Sequence, residues 1–200
     1  MAQFVLFHSQ QNNSYALLEE GDETNLRLLE PDAQEIWSVE AEDFDIAQLK
    51  KHEHLGWQPY KPMIVDENDL QQLVPRHKSD YERAQLLMNL GYPVVKPVAP
   101  QILECLQDIN WPIAQKLAPW VVGFAEQIGP EISAVLKSDD SAWKFWLLNR
   151  VVAEVAPAKL WVFEEMLNSV RNSSDDDREW QVEEEAVEVL QKLKLYRSSH

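Results

Sequence analysis

Two histidines flank a glutamate at His52-Glu53-His54, and two runs of aspartate, Asp139-Asp140 and Asp175-Asp176-Asp177, each precede a tryptophan. These are the places where side-chain type and spacing invite metal chemistry. For the histidines the geometry argues against it. On a helix, positions i and i+2 point about 200° apart and cannot share an ion. The zinc-protease pattern needs its second histidine at i+4, and that position is Gly56. The aspartate runs lack the alternating oxygen ligands, central glycine and closing glutamate of a calcium loop. They read as helix caps and a solvated loop. No catalytic, metal-binding or cofactor-binding residue is expected, and no cofactor.

A second constellation fits binding better than catalysis. Asp108, Asn110, Trp111, Asp139, Asp140, Trp143 and Lys144 could converge along one edge of stacked helical turns. The result would be a polar pocket with aromatic walls, suited to a small ligand or a peptide. The competing reading is that each residue caps or packs its own helix pair. The single cysteine, Cys105, lies between Leu103 and Leu106 on an apolar helical pattern and is expected to be a buried small hydrophobe. With one cysteine there is no internal disulfide and no thiolate cluster. Phosphate loops, the G-x-S-x-G elbow and the dinucleotide fingerprint are absent, and five glycines leave little room for them.

Composition narrows the partner. The 200 residues carry a formal net charge of −16, with a pI near 4.6. Such a chain repels phosphate backbones and anionic membranes, so neither nucleic acid nor membrane is an expected partner. A protein or peptide with a basic or apolar surface fits better. The start, Met1 to His8, has no basic region before its short apolar run, so no signal peptide is expected. No run approaches the length of a membrane span. The expected location is the cytoplasm.

The elements that must position these residues fall into two parts, residues 1–66 and 69–197. The first has short β-favouring runs at Phe4–Phe7, Tyr15–Leu18, Leu26–Leu29 and Ile36–Val39, separated by turn signals. Asp43 then caps a predicted helix from Phe44 to Leu55, stopped by Gly56. This predicts a small antiparallel sheet covered by one helix. Asp66 to Asp69 reads as a polar joint. Beyond it the apolar period is 3.6. Ser79-x-x-Glu82 has the form of a capping box, before a helix ending at Gly91. Further helices are predicted from Pro97 through Ile109, from an Asn110 cap through Ile128 with a kink at Pro119, and from Pro130 through Leu136. Three more follow: Ala142 to Val155, a helix begun by Pro157, and a last helix after a polar loop, Asn172 to Asp177. Ala142 to Val155 is apolar almost all round and is expected at the centre.

Three stretches share an acidic turn followed by tryptophan: Trp111, Trp143 and Trp180, spaced at intervals of about 30–45 residues with two helices per unit, the signature of an α-solenoid. The chain also resembles a known family. Leu73-Val-Pro75, Lys78, Asp80, Gly91-Tyr92-Pro93, Leu106-Gln-Asp108-Ile-Asn110-Trp111-Pro112 and Ser138-Asp139-Asp140 with Trp143-Lys144-Phe145-Trp146 look like the bacterial domain-of-unknown-function family 5071, over about residues 69–195. The resemblance implies a HEAT- or armadillo-like helical fold and no assigned activity.

The fold class expected is therefore mainly α: a small N-terminal α+β domain, then an α-α superhelix of stacked pairs. The function expected is non-enzymatic binding of a protein or peptide on the helical surface. One alternative is an immunity- or antitoxin-like inhibitor of a basic protein, using the acidic face of Glu179, Glu183, Glu184, Glu185 and Glu188. Another is an enzyme with a site between the two parts, drawing on His52, Trp57, Tyr60 and His77.

Overall fold

The computed structural model describes residues 1–170 and 174–199. The chain divides into two compact units, Met1–Ile64 and Val65–His200. In the first, β1 (Ala2–Ser9), β2 (Ser14–Glu19) and β3 (Gln34–Ala41) form a sheet of order β2-β1-β3, antiparallel throughout. Alternation places Phe4 and Leu6 of β1 inside, with Leu17 of β2 opposite Leu6. Leu26–Leu29 is not a strand. Asp22 accepts a hydrogen bond from the Asn25 N–H at 3.1 Å and caps a single helical turn, α1 (Glu23–Leu26). A local side-chain bond outcompetes the weak β preference of three leucines. Helix α2 (Phe44–His54) forms as expected: Asp43 accepts from the Ile46 N–H at 3.0 Å, and Gly56 follows with φ of +64°. Its Ile46, Ala47 and Leu49 are buried.

The second unit is helical. The stretch expected as a joint instead opens α3 (Glu67–Gln72), because Asp66 and Asp69 make a reciprocal capping box. For α4 (Tyr81–Leu90) the cap is Asp80, which accepts from the Arg83 N–H; Ser79 lies one residue too early. A 3₁₀ turn at Lys96–Val98 leads into α5 (Ala99–Glu104), which ends before Ile109. Helix α6 (Pro112–Val122) passes through Pro119 and stops one residue before Gly123, leaving Phe124 and Ile128 outside it. Asn110 does not cap it. Trp111 holds the cap position with no side-chain bond, and Pro112 has no N–H to satisfy.

Next come α7 (Gly129–Leu136) and α8 (Ser141–Arg150); the latter ends before Val155, which follows a 3₁₀ turn at Val152–Glu154. A 3₁₀ segment, Pro157–Phe163, continues into α9 (Glu164–Val170). Of the expected polar loop, 171–173 lies outside the described residues. The rest is helical: Ser174 caps α10 (Asp175–Glu179), and α11 (Val182–Ser199) follows. Trp180 therefore sits at the end of α10, while Trp111 and Trp143 stand at helix starts.

The helices pack with a skip: α4 on α6, α5 on α7, α7 on α9 and α9 on α11, while α8 meets α10 and α11. Fully buried aliphatics, among them Ile102, Leu117, Ile132, Leu147 and Val189, fill the space between them. No described helix is long and apolar enough to cross a membrane.

Candidate functional site

The polar chemistry of the helical unit centres on the start of α8. Asp140 accepts from the Trp143 N–H at 2.9 Å and fixes the first turn. Ser141 and Lys144 then lie one turn apart on the inward face. Lys144 Nζ donates to both carboxylate oxygens of Asp177 at 2.9 Å, and Ser141 Oγ donates to Oδ1 of the same group at 2.6 Å. All three side chains are buried, Asp177 to 1% exposure. Asp177 does not belong to a solvated loop: it is the buried anion that ties α10 to α8. Lys144 spends its donors on that anion. Ser141 gives its hydroxyl proton to the same carboxylate, so one buried anion gathers both side chains.

The other residues expected at a binding surface are placed as follows. Asp108 accepts from both the backbone N–H and the amide of Asn110, at 2.9 and 3.0 Å. Trp111 holds the start of α6. Trp143 donates its indole N–H to the Leu103 carbonyl at 3.1 Å, linking α8 to α5. Asp139 is exposed and shares a cavity of about 450 Å³ with Lys144 and Asp177. Asn110 lies instead on a second cleft, of about 680 Å³. The seven residues thus divide: Asp139 and Lys144 at one cavity, Asn110 at another, and Asp108, Trp111, Asp140 and Trp143 lining neither.

The second cleft runs between α6 and the end of α8. Gln115 and Pro119 of α6 face it, with Trp146, Arg150 and Glu154 from the α8 side. Trp146 and Arg150 come together because they are i and i+4 on one helix. Among the described residues, the Arg150 guanidinium makes no ion pair or side-chain hydrogen bond. An aromatic row leads away from the cleft: Trp146 meets Phe145 at 4.8 Å between ring centroids, and Phe145 meets Trp180 at 6.5 Å. Trp180 is 45% exposed. Trp146, Arg150, Gln115 and Glu154 escape a reading based on acidic turns. The i, i+4 pairing of an aromatic with an arginine was the signal available for two of them.

In the first unit, His52 Nδ1 lies 2.8 Å from the Gln58 carbonyl and so carries the proton. Its ring meets Trp57 and Tyr60, while His54 stacks on Trp37 at 4.6 Å. Tyr60 donates its hydroxyl proton to Asp45 at 2.7 Å, and burial together with that carboxylate pushes the phenol well up. Lys51 sits 5.3 Å over the Trp57 ring, and burial lowers its pKa. His77, in the other unit, accepts from the Ser79 N–H at 3.3 Å.

Cys105 is buried, and its thiol is pushed up to about 11 by burial, with Glu104 and Asp80 adding to it. A raised thiol pKa means the folded chain holds that proton more tightly than the unfolded one. The corresponding stability is complete below the ordinary value near 9 and declines as pH rises towards 11. Iodoacetamide at pH 8 is expected to label the native chain about 100-fold more slowly than the urea-unfolded chain. Equal rates by mass spectrometry would place Cys105 at the surface.

A family described as Domain of unknown function (DUF5071) matches residues 73–190, more than half of the chain. No curated protein matches the sequence.

Proposed function

Starting from the fact that the chain belongs to the DUF5071 family, we propose that it is a cytoplasmic binding protein. Its helical unit is read as a HEAT-like stack that holds a protein or peptide partner, and the Met1–Ile64 unit as a separate small domain. The skip packing of α4 on α6, α5 on α7, α7 on α9 and α9 on α11 supports the stacked reading, because like helices of successive pairs meet in that way. The observation that carries the binding reading is the row Trp146, Phe145 and Trp180 running into the Arg150 cleft. The polar groups around Lys144 are used internally, whereas this row leaves large aromatic surface at the edge of a cleft. Aromatic and arginine side chains supply most of the energy in protein interfaces.

Affinity capture from native lysate tests the reading. Wild type is expected to retain a reproducible partner, identified by mass spectrometry, whose recovery falls at least about tenfold with Trp180→Ala. Trp180 is 45% exposed, so that variant is expected to keep its fold, which circular dichroism would check first. Recovery unchanged by Trp180→Ala and by Trp146→Ala alike would overturn the aromatic-row reading. Loss only on reversing Glu183, Glu184 and Glu185 to lysine would favour the acidic-face inhibitor instead.

A further inference from the structure

Resting on that binding reading, the geometry points to a specific occupant for the cleft between α6 and α8: the C-terminal end of a peptide, with a free carboxylate, an apolar last side chain and a basic residue upstream. The chain is strongly acidic, yet this cleft presents an arginine with no ion pair or side-chain hydrogen bond among the described residues. A guanidinium offers paired N–H donors in the plane that a carboxylate matches, which makes an anionic group its natural ligand. Trp146, one turn earlier on α8, and Pro119 across the cleft supply apolar walls. They suit the side chain that neighbours such a carboxylate.

The remaining polar groups separate a peptide end from a simple organic acid. Gln115 carries an amide that both donates and accepts, the pairing that a peptide backbone needs, and Asn110, whose NH2 gives one proton to Asp108, adds its carbonyl oxygen and second N–H. Glu154 on the same cleft repels a second anion and attracts a cation, so a basic residue upstream of the end is favoured. The volume of about 680 Å³ falls within the roughly 300–1,000 Å³ range of small-ligand clefts. One cleft therefore holds complementary groups for carboxylate, apolar side chain, backbone amide and cation.

The test is a pair of fluorescein-labelled tetrapeptides, Ala-Lys-Ala-Phe with a free carboxylate and the same sequence amidated, titrated by fluorescence anisotropy with the full chain. The free acid is expected to bind at least tenfold more tightly than the amide. Arg150→Gln, an exposed substitution that leaves the fold intact, is expected to remove that difference while the amide's affinity stays the same. Trp146→Phe is expected to retain the difference, and a glutamate in place of the peptide lysine to weaken binding by way of Glu154. Equal affinity for acid and amide, or a difference that survives Arg150→Gln, would overturn the inference. So would failure of the free acid to bind at millimolar concentration. If the peptides fail while Trp180→Ala still abolishes capture of the cellular partner, carboxylate recognition falls and the binding reading stands.

Discussion

Lys144→Ala is expected to destabilise the helical unit by about 3–5 kcal/mol, because it takes from the buried Asp177 carboxylate the ammonium that meets both its oxygens. The size follows from burial. Two oxygens at 2.9 Å from one ammonium, with Asp177 only 1% exposed, make an arrangement water cannot repair when one partner is lost. The same reasoning forecasts recovery. Lys144→Met, Asp177→Leu and Ser141→Ala together remove the three described members of the cluster, and should restore most of the loss. Urea unfolding followed by tryptophan emission measures both, since six of the eight tryptophans lie beyond Val65. A shift below about 1 kcal/mol in the single variant would mean that the pair is solvated.

Arg83→Leu carries the second largest expected effect, a loss of about 2–4 kcal/mol. Arg83 is 1% exposed, donates from Nε to the Gln72 carbonyl at 3.0 Å, and lies 3.9 Å from Asp80. Asp80 is 4% exposed; it caps α4 and accepts from the Arg76 N–H at 2.9 Å. Removing the guanidinium therefore strands a carbonyl and weakens the anion that organises the entry to α4. Arg83→Lys is expected to recover only part of the loss, since an ammonium cannot reproduce the guanidinium's planar set of donors. Full recovery by lysine would show that charge alone matters at this position.

The strand pattern, the α2 boundaries and most helical faces were legible because each rests on local rules. The alternation in Ala2–Ser9, Asp43 ahead of a helix and Gly56 behind it are decided within a few residues. The misreadings have a common origin in competition between local signals. At Leu26–Leu29, Asp22 converts a leucine run into a turn of helix. At residues 66–69, acidic residues that look like a linker cap one another. Asp177 was misread for another reason: its partners Ser141 and Lys144 are 36 and 33 residues away, and only the fold brings them together. The cleft at Arg150 is long-range as well, joining Asn110 and Gln115 to residues of α8. Acidic turns followed by tryptophan drew attention to helix starts, whose polar groups are largely taken up in capping.

On the proposed binding reading, recognition is assigned to the cleft and aromatic row of α8 rather than to the acidic turns. A local turn takes up Asp108, a helix cap takes up Asp140, and a buried pair takes up Lys144 and Asp177. Trp143 is anchored by its indole bond to Leu103. Trp146, Arg150 and Trp180, on α8 and at the end of α10, are the side chains that the proposed reading assigns to the partner.

Amide hydrogen exchange of the chain, free and bound to the partner captured from lysate, tests that claim most directly. Slowed exchange is expected over Gln115–Val122, Trp146–Glu154 and around Trp180, the segments that line the cleft and its aromatic row. Protection confined to the acidic first turns of α11, or to Met1–Ile64, would contradict it and move the partner to another surface.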